Sequence, residues 1–250
     1  VDAQHGSVTV VSANDAGDDL NVTTDGKVAK DLTITNLKNG KANAVRFDKN
    51  LQAGGDITIT NEEANIEVAD GTTMEARNVS LIAKNNTVKV NGGTVKAAES
   101  VNADANDIIM SGGTLISGTK TTLTAGNAIN QTAGSLIAKN TVAKVNRGNV
   151  NLESRTNKLQ NVSIDAKNGN ATIVNANDAE GDLNVTTIGK VANDLTITNL
   201  KNGKANAVRF DKNLQAGGTI AVTNEEADIE VANGTTMEAQ HISLTAKNNN

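Results

Sequence analysis

With 250 residues, a hydrophobic fraction of 37% and an aromatic fraction of only 1%, the chain has the length for a sizeable core but not the large side chains of an ordinary globular one. A net charge of −5 speaks against a nucleic-acid surface, which needs a basic face. Cysteine is absent, which excludes disulfides and thiolate metal sites, and no apolar run reaches the roughly 18 residues of a membrane-spanning helix.

Proline is absent too, which suits a chain whose residues lie mostly in or beside sheet ladders, where proline removes a donor. Any core must be thin and built of Val, Ile, Leu and Ala. In chain order, the first feature is the acidic turn Asn14 to Asp19, with Asp15, Asp18 and Asp19. Calcium takes several hard oxygen ligands on a bent loop, so this turn is the best metal candidate in the sequence. The repeating calcium nonapeptide is missing, however, and the turn reads as a solvated one. Asn21-Val22-Thr23 matches a glycosylation triplet, which in a chain this rich in Asn and Thr is expected by chance.

Asp31 to Gly55 (DLTITNLKNGKANAVRFDKNLQAGG) opens with an alternating strand in which Leu32 and Ile34 point one way and Thr33 and Thr35 the other. Lys38 to Lys41 reads as a polar turn bulging from the coil. Arg46-Phe47 carries one of the two aromatic residues, and Phe47 is expected to plug a coil corner. Thr58 and Thr60 extend the outward threonines, as in the flat arrays of ice-binding solenoids, but Ser80 and Ile82, then Asn102 and Asp104, break the row. Glu62 and Glu63 are adjacent acids. Read as strand neighbours they face opposite sides, which argues against a shared substrate.

From Asp70 onward a short template recurs: Asp70 to Ala76, Asn91 to Ala97, Ser111 to Ser117 and Thr132 to Ala138, at intervals of 21, 20 and 21 residues. Each is a glycine turn followed by Thr or Ser, an apolar residue, any residue and a small one. A second set runs in phase: Val79-Ser80-Leu81, Val101-Asn102-Ala103, Thr121-Thr122-Leu123 and Val162-Ser163-Ile164. A third set is Val88-Lys89-Val90, Ile108-Ile109-Met110 and Ile173-Val174. Each unit thus holds three short strands, none able to bury its own apolar face, so the units must stack. The fold class is all-β: a right-handed parallel β-helix, or β-solenoid, with triangular coils of about 20–25 residues. Its handedness follows from the strong bias of parallel crossovers. Stacked Asn side chains are expected to satisfy one another.

The string Asp31 to Gly55 returns unchanged at Asp194 to Gly218, 163 positions later. Residues 1–87 resemble 164–250 at about three-quarters of positions. The second copy brings Asp178, Glu180 and Asp182, Arg209-Phe210, and Glu225 with Glu226. His5 and His241 fall at non-equivalent positions with no other ligand type nearby, and read as surface residues. No linker divides the chain, so 1–250 reads as one continuous segment of a longer array. The stretch from Ile164 to Leu195 reads as one stretched coil or two compact ones, giving seven or eight coils per repeat and eleven or twelve in all.

Leu51 to Thr60 (LQAGGDITIT) and Thr124 to Ala138 (TAGNAINQTAGSLIA) resemble the rod repeats of filamentous haemagglutinin-like proteins, large exoproteins of Gram-negative-type bacteria exported by two-partner secretion. The resemblance covers essentially the whole chain. It implies a right-handed parallel β-helix, a place outside the outer membrane, and a role as an adhesin shaft. The implied partners are an outer-membrane secretion protein and a receptor or glycan on host or bacterial cells, with end-to-end or lateral self-association and no nucleic acid. Related contact-dependent inhibition proteins use such a shaft to carry a toxin. The competing class is a carbohydrate-active β-helix, which would need clustered acids and aromatic platforms. No catalytic, cofactor-binding or metal-binding residue is assigned, and no catalysis is expected of the shaft itself.

Overall fold

The structure, a computed structural model, describes residues 1–13, 17–24, 26–38, 42–176, 181–201 and 205–247. Alternating sequence produces alternating burial: Leu32–Asn36 reads buried, half-buried, buried, half-buried, buried. A strand of this kind has one apolar face and two open edges, and both needs are met by placing copies one above another. All strand pairs among the described residues are parallel. No described residue is helical.

The coil has three faces. On the first, Val8, Leu32, Ile57, Val79, Val101, Thr121, Thr141 and Val162 stand one above another. On the second, the column runs Leu20, Val45, Ile66, Val88, Ile108, Ile129, Val150, Ala171, Leu195, Ile220 and Ile242. On the third it runs Leu51, Met74, Val95, Leu115 and Leu136. The short template recognised in the sequence is this third face, aligned as the spacing requires.

Eleven strands on the second face make about ten turns, a stack of about 50 Å at the inter-strand spacing. This is fewer than the eleven or twelve coils expected. Ile173 also takes a different place: it stands over Leu152, while Ala171 continues the column of Ile108. The fold is thus a parallel β-solenoid. Its core is one continuous aliphatic column, with Phe47 and Phe210 fully buried inside the tube.

The two copies of the identical string do not share a face. Thr33 lies on the first, under Thr58, Ser80, Asn102, Thr122, Val142, Ser163 and Thr186. Its duplicate Thr196 lies on the second, in the column that descends through Thr172, Asn151, Asn130, Ile109, Lys89 and Glu67 to Arg46. Arg46 belongs to the same coil as Thr33, one face further on. On this strand the 163-residue repeat therefore spans seven coils and a third, neither seven nor eight, whereas Arg209 stands over Asn184 and Asn161 on the first face, two faces on from Arg46. The extra third arises where Asn161–Ile164 is capped by Asn184–Thr187 and Ala171–Asn175 by Leu195–Asn199, so that the doubtful stretch winds one coil and a third.

Candidate functional site

An open cleft of about 460 Å³ lies on the first face, lined by Lys38, Thr60, Glu62, Glu63, Ile82 and Lys84 among others. The strand below it ends at Asn61, whose side chain turns inward and donates to the carbonyls of Asn43 and Asn65 at 3.1 and 2.9 Å. That inward amide stops the alternation. Glu62 and Glu63 lie on the bend that follows, not in a strand, so the argument that they face opposite sides does not apply.

Both carboxylates instead reach the same lysine. Glu62 Oε2 accepts the backbone N–H of Lys38 at 2.8 Å, and Glu63 Oε1 lies 2.6 Å from Lys38 Nζ. The second copy repeats this clasp. Glu225 Oε2 accepts the Lys201 N–H at 2.9 Å, and Glu226 Oε1 lies 2.5 Å from Lys201 Nζ. Lys247 Nζ stands 3.7 Å from Glu225. The hydrogen bond and charge of Glu63 raise the Lys38 ammonium above its ordinary value, and Glu226 does the same for Lys201. The Lys38 side chain is 70% exposed, so the ion pair itself adds little stability. The arrangement pins the start of the polar turn to the coil above it; the rest of that turn, Asn39 to Lys41, lies outside the described residues.

The acidic turn is only partly described. Asp15, Asp178 and Glu180 lie outside the described residues. Asp19 and Asp182 each hold a backbone group of a neighbouring coil. Asp19 Oδ1 accepts the Ala44 N–H at 2.9 Å, and Asp182 Oδ1 accepts that of Ala207 at 2.9 Å. The other oxygen of Asp182 lies 2.7 Å from Arg209 Nε. Asp18 is exposed. No group of three or more potential metal ligands occurs among the described residues.

Arg46 and Arg209 point outward from strands whose next residues, Phe47 and Phe210, point in. Arg209 lies between Asp182 and Glu230, at 3.1 Å from the latter, while Arg46 faces Glu67 at 3.8 Å. Glu67 also meets Lys89 of the next coil at 2.9 Å. The outward threonines run Thr9, Thr33, Thr58 in one row and Thr35, Thr60 in the next, which starts at Val11, then give way to Ser80 and Ile82 and to Asn102 and Asp104, as the sequence predicts. His5 and His241 are exposed. Asn21-Val22-Thr23 lies at the second face, where the Thr23 hydroxyl donates to the Asn50 carbonyl at 3.4 Å.

Stacked Asn side chains are expected from the sequence and are found, but sequence reasoning did not single out which amides form the ladder, nor the carboxylates that hold one coil to the next. Asp31 and Asp194 accept the N–H groups of Asp56 and Thr219 at 2.9 and 2.7 Å, and Asn50 and Asn213 accept those of Thr73 and Thr236 at 2.8 and 2.9 Å. Inside the tube, Asn175, Asn199 and Asn224 form a ladder at 2.8 and 3.2 Å, and Gln131 and Asn157 exchange two amide hydrogen bonds. Each pair is separated by about one coil length, and that interval is the signal that could have found them.

Set against known protein families, curated proteins and solved structures, the chain matches none. What the stack supports chemically is coil-to-coil cohesion: the ionic and amide pairs described above join one coil to the next.

Proposed function

We propose that this chain is a segment of the shaft of a large secreted, surface-displayed filamentous adhesin, acting through length, stiffness and display and without catalysis of its own. The observation that carries the reading is the direction of the polar side chains. Arg46–Glu67–Lys89, Arg77–Asp56, Lys96–Glu75 and the internal Asn ladder all bind one coil to the next. Enzymes converge such groups on a substrate; here they run along an axis. The resemblance of Leu51 to Thr60 and Thr124 to Ala138 to haemagglutinin-like rod repeats supports the same reading. A receptor or glycan on host or bacterial cells and an outer-membrane secretion protein are the partners it implies. A toxin-delivery stalk is the variant of the same class.

The test is made on intact source cells. They are treated with a protease that cannot enter, then blotted for the Asp31 to Gly55 epitope, with the untreated chain sized in parallel. Loss of a very large chain is the expected result. A protected chain of about the present length would sink the proposal.

A further inference from the structure

The charge of the chain is not spread evenly along its axis. Residues 112–170 carry seven Lys and Arg against two acids, a net +5. Residues 1–111 below them carry ten against sixteen, a net −6, and residues 171–250 above them six against ten, a net −4. The stack turns this pattern into a basic belt of three coils, about 14 Å tall, between two acidic lengths. That height exceeds the screening length of about 8 Å at physiological salt, so the belt acts as a positive surface in its own right. Its cations are also unspent. In the lower acidic length Lys38, Arg77, Lys89 and Lys96 each meet a carboxylate within 3.0 Å. Among the described residues, Lys120, Lys139, Lys144, Arg155 and Lys167 are exposed and meet none. The belt's own acids are Glu153 and Asp165, and Asp165 stands in register over Lys144 without pairing with it. Four of the five free cations border the first face. Lys120 opens the stretch in register with Ser100 and Asn140, Lys139 comes just before Asn140, Lys144 lies within its strand, and Lys167 follows Ala166 at the bend beyond.

We propose that the belt docks on a second copy of this chain, lying antiparallel beside the first and slid along the axis so that each belt faces the other's residues 1–111. The spacing of the charge decides the occupant. A long anionic polymer laid along the shaft would leave the belt after about 14 Å and run onto acidic surface at either end. A second copy changes sign at the same interval as the first. In register, two copies set belt against belt and repel. Offset, both belts find acid at once, and a two-fold axis closes the pair. The lower length is a better seat than the upper because it carries the larger charge. Asp31, Asp56, Glu99 and Asp104 also lie on or beside the first face there. The pairing rests on the charge pattern alone; as a contact that bundles shafts it rests on the shaft reading.

Sedimentation velocity at about 0.02 M and about 0.5 M salt reads the pairing, since the screening length falls from about 20 Å to about 4 Å between them. The expected result is a dimer at low salt whose association constant drops about tenfold or more at high salt. Lys120→Glu, Lys139→Glu and Lys144→Glu together should give a monomer at low salt with an unchanged β spectrum, because none of the three cations is paired within its own chain. Lys27→Glu, Lys49→Glu and Lys212→Glu together change the net charge equally, at exposed and unpaired positions outside the belt, and should leave the dimer standing. A parent chain that is monomeric at low salt would overturn the proposal. So would a dimer that persists at about 0.5 M salt, as end-to-end stacking of strand edges would, or equal loss of the dimer in both triple variants. Binding of dextran sulfate by a chain that stays monomeric would make an external polyanion the occupant and overturn it too. A protease-protected chain in source cells would sink the shaft reading and leave the sedimentation result untouched, so the two failures are separable.

Discussion

Gly134 and Gly71 both hold left-handed backbone, at φ +79° and +71°. Their surroundings differ. A methyl group at Gly134 would run into the Gly113 carbonyl of the coil below, whereas at Gly71 it would meet open space. Gly71→Ala should therefore cost about 1 kcal/mol, the left-handed penalty alone, and Gly134→Ala about 3 kcal/mol as overpacking is added. Urea unfolding of the two variants checks the difference. Asp56 carries a second residue-scale prediction. The side-chain hydrogen bond from Arg77 holds its carboxyl below the ordinary range, with help from Asn78. A depressed folded value means the contribution is complete above the unfolded pKa and is lost as pH falls through the folded one. Asp56→Asn should thus flatten the acid limb of the stability profile. The effect should be small, about 0.5 kcal/mol or less, because the pair is exposed. Acid titration of the unfolding midpoint measures it.

At the scale of the strand, the inward amides matter most. Asn199 is fully buried, accepts from Asn175 and donates to Asn224 and to the Asn206 carbonyl. Asn199→Ala removes one member and strands its neighbours, at a cost of about 2 kcal/mol. Chemical denaturation against the parent chain is the measurement. The ladder also explains what was legible. Strand alternation and the interval of about twenty residues stood openly in Asp70 to Ala76 and its three successors, because glycine turns of one length reset the register each time. The strand end at Asn61 did not, since nothing local distinguishes an inward Asn from a turn Asn. Read from sequence, Glu62 and Glu63 consequently fall on opposite faces of a strand that in fact ends at Asn61. The phase of the second copy was hidden for a related reason. Between Ile164 and Leu195 no glycine template marks the faces, and the pairings of Ala171 with Val150 and of Asn184 with Asn161 show which face the chain has reached.

Across the whole molecule, each coil is supported only by the coils beside it, so protection should grade along the stack. Among the described residues, His241–Ala246 pairs with Thr219–Asn224 on one side alone, and Ile242 and Leu244 are exposed there. Hydrogen exchange on this chain should be fastest in Val8–Ser12 and His241–Ala246 and slowest near Val101–Ala105, in the middle of the ladders. Uniform protection would show instead that the stack unfolds as one cooperative unit.

The odd third of a coil has a consequence for inheritance. Two stretches this alike invite the gain or loss of one unit between generations, and such an event would usually be thought to alter reach alone. In this chain it would also change which face each strand of the repeat occupies. Whatever lies beyond the inserted unit is moved outward by about 35 Å, and the strand that opens the added unit lies on a different face from its original.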